Sequence, residues 1–267
     1  MHITLTGNLG SGKSTICKIL QEKYGFEIYS TGKVQRKLAE EMNLTVLEMN
    51  QLMCSDSKYD SMIDDAVMRL SRDNQDKNIV FDSRLAWHFV EQSFKVFLMV
   101  SLDVAANRVM NDSRGAVESY QNVEDARNQL AQRAANENAR YKDLYHLEYF
   151  NYNNYNLVLD STYATPEVIA DVLMREAKKY EEAFKAGNKE HTTKILVSPR
   201  RLMSMDQVTE TDKELLKDVV ERYKNAGSYE GAAIYASKEG DVFKALEHED
   251  KVKAMILAQT AYVPIRL

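Results

Sequence analysis

Near the start of the chain, Ile3-Thr4-Leu5-Thr6-Gly7-Asn8-Leu9-Gly10-Ser11-Gly12-Lys13-Ser14-Thr15 puts glycines, a lysine and hydroxyls directly after a short apolar run. From Gly7 to Ser14 the spacing is G-x-x-x-x-G-K-S, the P-loop pattern. Glycines let the backbone curl until successive N–H groups face one anion, and a following helix adds the positive end of its dipole. In such a loop Lys13 bridges the β- and γ-phosphates of a nucleotide, and the Ser14 hydroxyl is a ligand for Mg²⁺. Gly7 through Thr15 are therefore the candidate donor-phosphate residues. The pattern names a bound phosphate and not, on its own, a reaction.

The elements that must hold this loop are legible around it. Residues 1–6 read as a strand, apolar on both parities and so central in a sheet. Residues 13–23 read as a helix with Ile16, Ile19 and Leu20 on one face and Gly25 as its stop. Strands are predicted at 26–29, 78–82, 94–100 and 157–159. Helices are predicted at 33–42 with Thr31 as N-cap, 45–53, 59–70, 103–110, 123–147 and from Pro166 to about 184. This alternation predicts an α/β unit with a five-stranded parallel sheet flanked by helices over residues 1–185. A polar, glycine-bearing stretch at 186–191 reads as a linker. Beyond it, residues 192–267 read as a small α+β unit. It has a strand at 194–197, a turn at Pro199-Arg200-Arg201 and a helix opened by a capping box at Thr211. A hairpin around Lys238–Asp241, a helix at 249–258 and a last strand follow.

Composition narrows the classes. The 267 residues carry a formal net charge of −5, so nothing in the total favours a nucleic-acid or membrane partner. No apolar run is long enough to span a bilayer, and Gly7 to Lys13 interrupts any leader-like stretch, so the expected setting is cytoplasmic. Cys17 and Cys54 offer neither a disulfide framework nor a metal quartet and read as small hydrophobes.

Five segments, taken in order, resemble the nucleoside monophosphate kinases, and most closely the short cytidylate kinases of the archaeal type. The first is the P-loop itself. The second, Ser30-Thr31-Gly32-Lys33-Val34-Gln35-Arg36-Lys37-Leu38-Ala39, is similar to the family's S-S-G-x-x-x-R-x-x-A. The resemblance implies that Ser30, Thr31, Gly32 and Arg36 hold the acceptor monophosphate; a helix N-terminus with an arginine is a phosphate clamp. The third, Phe81-Asp82-Ser83-Arg84-Leu85-Ala86-Trp87, is similar to the family's strand-end G-R-L-A. It implies that Arg84 grips the acceptor phosphate from the carboxyl end of a parallel strand, where such sheets bind ligands. Asp82 would hold a magnesium-bound water, orient the acceptor, or serve only as a structural strand end. Trp87 and His88 read as packing residues.

The fourth segment is a lid over about residues 111–140, preceded by Arg108, which the resemblance assigns to the donor nucleotide. Within the lid, Arg114 lies in a loop and Arg127 on the helix that follows that loop. Arg133-Ala134-Ala135-Asn136-Glu137-Asn138-Ala139-Arg140-Tyr141 resembles R-E-x-S-E-x-x-R-Y, with Ala134 where the family has an acid. Arg133 and Arg140 share one helix face. They either close over the phosphates or form ordinary helix ion pairs with Glu137. The fifth, Tyr155-Asn156-Leu157-Val158-Leu159-Asp160-Ser161-Thr162, resembles Y-D-L-V-I-N-T-S, the strand and loop that shape the adenine site in the family. The tyrosines at 141, 145, 149, 152 and 155 read as partly buried against the lid.

The reaction so implied is in-line phosphoryl transfer from ATP with Mg²⁺ to a nucleoside monophosphate, CMP or dCMP, with Lys13, Arg84, Arg133 and Arg140 as the catalytic set. Two other readings stay open. One is a nucleotide-binding regulatory protein with a non-catalytic kinase fold, the other a kinase of a different small phosphoacceptor. Residues 192–267 resemble, more weakly, a ParB/sulfiredoxin-type fold whose phosphate-binding segment is degenerate here: Glu249 and Asp250 stand where phosphate would sit. A protein partner is conceivable for that part, with Arg200-Arg201 either a solvated turn or a contact for an anion or an acidic partner.

Overall fold

A computed structural model describes residues 1–44, 48, 49, 52, 58–111, 120–188, 192–226, 229 and 231–267, with the side chains of residues 33, 35–38 and 58–60 excepted. The expected helix at 45–53 falls mostly outside these residues, as do Cys54, Arg114 and the end of the expected linker.

The strand with the phosphate loop at its end is central. Strand β1 (His2–Gly7) is buried at every position, because β3 (Ile79–Asp82) flanks it on one side and β4 (Phe94–Met99) on the other. Beyond them lie β2 (Glu27–Ser30) and β5 (Leu157–Asp160). All these pairings are parallel, and the five-stranded order is β2-β3-β1-β4-β5. The intervening helices are α1 (Lys13–Tyr24), α2 (Thr31–Glu41), α3 (Lys58–Asp73), the short α4 (Ala86–Phe89), α5 (Leu102–Asn111), α6 (Val123–Tyr145) and α7 (Pro166–Lys185). Gly25 stops α1 in the left-handed conformation at φ +73, its N–H bonded back to the helix. Thr165 caps α7, with Pro166 inside its first turn.

The sheet does not end at β5. Strand β6 (Lys194–Val197) pairs in parallel with β5, so α7 is a further crossover. Strand β9 (Val263–Arg266) pairs antiparallel with β6. β7 (Ile234–Glu239) then lies parallel to β9, and β8 (Val242–Ala245) closes the edge as the second arm of the expected hairpin. Residues 192–267 are α+β in content, and their strands extend one nine-stranded sheet.

Side-chain alternation explains the continuity. On β4, Val96 and Leu98 face α1 and α7, while Phe97 and Met99 face the other way. Leu159 and Val158 divide likewise on β5, and Leu196 and Val197 on β6. One core therefore packs Ile16, Leu20, Ile169 and Leu173 against the first face. The core on the second face joins Trp87, Tyr149 and Tyr155 to Leu202, Phe243, Met255 and Ile265 of the C-terminal segment. Tyr149 and Tyr155 are fully enclosed there, deeper than the partial burial expected of them. Their rings meet Tyr141 and Phe97, and the Tyr155 hydroxyl donates to the Tyr149 carbonyl at 2.6 Å.

The start of the first helix after the 3₁₀ turns of the C-terminal segment differs from expectation. The capping box belongs to Thr209 and Asp212, two residues before Thr211, and opens α8 (Glu210–Leu215). Asp212 sits at the third helical position from Thr209, where its carboxylate reaches back to the Thr209 N–H, and Lys253 of α10 (Glu249–Leu257) holds it at 2.8 Å. A second helix, α9 (Lys217–Ala226), follows directly.

Candidate active site

The phosphate loop leaves β1 at the carboxyl edge of the parallel strands and is fastened to β4. The Asn8 N–H donates to the Leu98 carbonyl at 2.9 Å, and the Asn8 side-chain oxygen accepts from the Val100 N–H at 3.3 Å. Gly7 is required by this approach, since a Cβ there would lie 2.2 Å from the Leu98 carbonyl oxygen. The buried Ser11 hydroxyl donates to the Asn8 carbonyl at 2.8 Å, closing the loop on itself. Leu9 turns its side chain into a core with Ala105, Ala106 and Leu130. Gly12 precedes α1, whose first residues Lys13, Ser14 and Thr15 follow the loop directly, Ser14 and Thr15 exposed.

Two cations converge on one atom. Lys13 Nζ lies 3.4 Å from the Gly7 carbonyl oxygen, and Arg84 Nη1 donates to that same oxygen. Burial, with Arg84 close by, lowers the Lys13 pKa from its ordinary value to about 7; the Asp82 and Glu137 carboxylates partly oppose this. Arg84 is carried there by the turn after β3. Thr6, buried in β1, ties that turn by donating to the Ser83 carbonyl at 2.9 Å.

Helix α6 meets this pair of cations through Glu137. Arg84 Nε donates to one Glu137 oxygen at 2.9 Å, and Arg133 Nε to the other at 3.2 Å. Glu137 is thus shared between the helical ion pair with Arg133 and the contact with Arg84. Arg133 is brought to the edge of the site. Arg140, two turns further along α6, has its guanidinium carbon 5.8 Å from the Tyr141 ring centre.

At the end of the neighbouring strand, Ser30 of β2 lies opposite Asp82. Helix α2 begins at Thr31 itself, not after it. The Thr31 hydroxyl donates to the Asp82 carbonyl at 3.4 Å, so this residue ties β2 to β3 where an N-cap was expected. Gly32 and Arg36 lie on α2, with the Arg36 side chain outside the described residues.

Arg108, on α5, reaches back to the phosphate loop. Its Nη1 donates to the Gly10 carbonyl at 3.3 Å and its Nη2 to the Ser161 carbonyl at 2.6 Å. Burial lowers its pKa and the nearby Asp160 opposes the change. The loop after β5 is enclosed: Asp160, Ser161 and Thr162 are all buried, and burial pushes the Asp160 carboxyl upward. The sequence pattern gives Glu137 only an ion-pair role, and it places Asp160 and Ser161 only within the strand and loop that the resemblance ties to the adenine site. The signal available was position alone, at a helix midpoint between two arginines and at the end of a parallel strand.

A parallel sheet with this loop at the carboxyl ends of its strands, and basic side chains gathered over it, defines a P-loop nucleotide-phosphate protein. The family pattern described as "Cytidylate kinase-like family" matches residues 2–163. The cytidylate kinase of Methanobrevibacter smithii is 30% identical over 178 residues, covering 67% of this chain and 99% of its own length. That of Methanocella arvoryzae is 31% identical over 183 residues, covering 68% and 100%. An S-adenosylmethionine-dependent nucleotide dehydratase of Lacinutrix mariniflava is 33% identical over 178 residues, which cover 66% of this chain but 36% of that protein. A crystal structure of a protein from Eubacterium ventriosum superposes with a TM-score of 0.50 at 13% identity, over 67% of this chain and 98% of that one, a likeness of fold alone. The chain belongs to the cytidylate kinase-like family, and that membership supports a nucleotide kinase. The family match stops short of α7 and of everything after it.

Proposed function

We propose that this protein transfers the γ-phosphoryl group of ATP to a nucleoside monophosphate, with CMP or dCMP as acceptor, releasing ADP. The observation that carries the reading is the convergence of Lys13 and Arg84 on the Gly7 carbonyl, one from the donor loop and one from the strand end facing the acceptor side. A γ-phosphoryl group in flight spreads charge over its equatorial oxygens, so positioned cations supply the catalysis and no general base is needed. Lys13 holds the β- and γ-phosphates, and Arg84 stands between them and the acceptor phosphate. Ser30, Thr31, Gly32 and Arg36 bind that acceptor. Arg133 and Arg140 close from the lid and exclude water. Arg108 lines the donor side.

The oxygen donors at hand suit Mg²⁺. Ser14 offers an exposed hydroxyl on the first turn of α1, and the Asp82 carboxylate lies close enough to influence Lys13. Ser14 would hold the ion directly and Asp82 through water. When bound, it neutralises charge on the β- and γ-oxygens.

The test is turnover. Purified protein is incubated with ATP and Mg²⁺ and each ribo- and deoxyribonucleoside monophosphate, and ADP release is followed. CMP and dCMP are expected to give the highest kcat/KM. Tight ATP binding without turnover of any acceptor would overturn the reading.

A further inference from the structure

The C-terminal segment touches the donor side at the start of α5. The first N–H groups of a helix have no partner within it. Here two consecutive ones are taken by side chains from elsewhere. The Ser101 N–H donates to Thr162 Oγ1 at 3.0 Å, and the Leu102 N–H donates to Asp241 Oδ2 at 2.7 Å. Asp241 lies at the tip of the β7–β8 hairpin, 139 residues away in sequence from Leu102. A carboxylate at this end of a helix is favoured both as an acceptor and by the dipole.

Asp241 is itself held. Arg201 Nη2 donates to its carbonyl at 2.8 Å and to its Oδ1 at 3.0 Å, and the Arg201 side chain is almost wholly enclosed. Lys238 braces the tip from within, donating to the Gly240 carbonyl at 2.6 Å. The same tip lines, with Asn8, Leu9 and Ala134, a cavity of about 240 Å³ beside the phosphate loop. A second route reaches the same corner. The Ser198 N–H donates to Asp160 Oδ2 at 3.3 Å, the other Asp160 oxygen accepts from the Thr162 hydroxyl, and Thr162 is the residue that receives the Ser101 N–H.

What α5 does next gives these contacts their consequence. Ala105 packs on the phosphate loop so closely that a Cβ on Gly10 would be 2.9 Å from the Ala105 Cα. One turn on, Arg108 bonds the Gly10 and Ser161 carbonyls. A shift of α5 therefore reaches the loop and Arg108 together.

We infer that Asp241, held by Arg201, is a positioning residue for the donor nucleotide: from outside the matched family region it sets α5, and through it the phosphate loop and Arg108. This rests on the donor-site reading given above. It makes residues 192–267 part of the nucleotide site's framework.

The test uses the full chain and two variants, Asp241→Ala and Asp241→Asn. Equilibrium affinity for MgATP is measured first, because it reads the inference even if no monophosphate is an acceptor. Asp241→Ala is expected to weaken MgATP binding by about fivefold, the range of a lost helix cap. Asp241→Asn keeps an acceptor for the Leu102 N–H and is expected to recover at least half of that loss on a logarithmic scale. In the turnover assay the KM for ATP rises while the KM for the acceptor stays within about twofold. A folded Asp241→Ala protein with unchanged MgATP affinity would overturn the inference, as would equal losses on the donor and acceptor sides. If Asp241→Ala fails to fold, Asp241→Asn decides: MgATP binding weakened more than acceptor binding would support the inference, and a lowered melting temperature with unchanged MgATP affinity would overturn it. If the wild-type protein binds MgATP but turns over no monophosphate, the proposed reaction fails and the binding comparison still decides this point.

Discussion

The proposed donor corner and the proposed lid helix, α6, are built differently. Around the donor loop the contacts are backbone and buried: Gly7 against Leu98, Gly10 against Ala105, and the enclosed Asp160, Ser161 and Thr162. None of these can move without displacing a strand or a helix in the core. The lid meets the site through Glu137, which shares its two oxygens between Arg84 and Arg133. Arg133 keeps 48% of its side-chain surface in water. Ion pairs of that exposure are worth little and re-form easily. One corner is fixed in place by packing, and the other is held by charges that can exchange partners. That division suits a site where one phosphate is anchored while a lid closes over another.

The largest expected effect lies in the fixed corner. Lys13→Ala is expected to lower kcat by about a hundredfold to a thousandfold. The melting temperature should change little, since the lysine is half-buried and not part of an apolar core. Measured turnover near wild type would show that the phosphate loop does not hold the donor. Arg84→Ala, where the two corners meet, should cost about a hundredfold in kcat/KM for the acceptor. A loss seen only in ATP affinity would place Arg84 with the donor corner alone.

The same contrast separates what could be read from residues and what could not. The strand–loop–helix run from His2 to Tyr24 and its stop at Gly25 depend on neighbours in sequence, and they stand as expected. Arg84 and Arg133 were legible as candidates because their positions matched a family pattern. Their meeting through Glu137 spans 53 residues between Arg84 and Glu137, and no local spacing encodes it. The extension of the sheet was hidden for a related reason. The strand at Lys194–Val197 was found, but its pairing with Leu157–Leu159 is set by the alternation of its side chains between two cores. The polar stretch at 186–191 signals a break in the helix and says nothing of where the next strand lies. Thr209 was missed in favour of Thr211 because both are followed three residues later by an acid, and only tertiary contact with Lys253 distinguishes Asp212.

Protonation of Lys13 offers a graded test of the fixed corner. With its pKa at about 7, the free protein loses this charge as pH rises above neutrality. An anionic phosphate beside the ammonium favours the charged form and raises the pKa of the bound state. Binding above pH 7 must therefore take up a proton. MgATP affinity should fall as pH rises from 7 toward 9, by up to about tenfold per unit, and level off below 7. Lys13→Arg remains a cation throughout and should show a flat profile over this range. A wild-type affinity independent of pH would mean that the ammonium is charged before the nucleotide arrives.

The smallest effect is expected at the movable corner. Glu137→Gln leaves a hydrogen-bond acceptor for one arginine but removes the charge that holds both. The Arg84 and Glu137 side chains keep only 18% and 22% of their surface in water, but the amide still accepts a hydrogen bond from one arginine, so the loss should amount to about 1 kcal/mol. That corresponds to a rise of up to about fivefold in the acceptor KM, as the lid spends less time closed. MgATP affinity should change less than acceptor binding and the melting temperature should stay near the wild-type value, because Glu137 reaches the donor loop only through Arg84 and through its field at Lys13. If instead the substitution lowers the melting temperature or weakens MgATP binding as much as acceptor binding, the lid is part of the fixed framework. The two corners would then be one rigid site, and closure would have to come from α2 and the acceptor side.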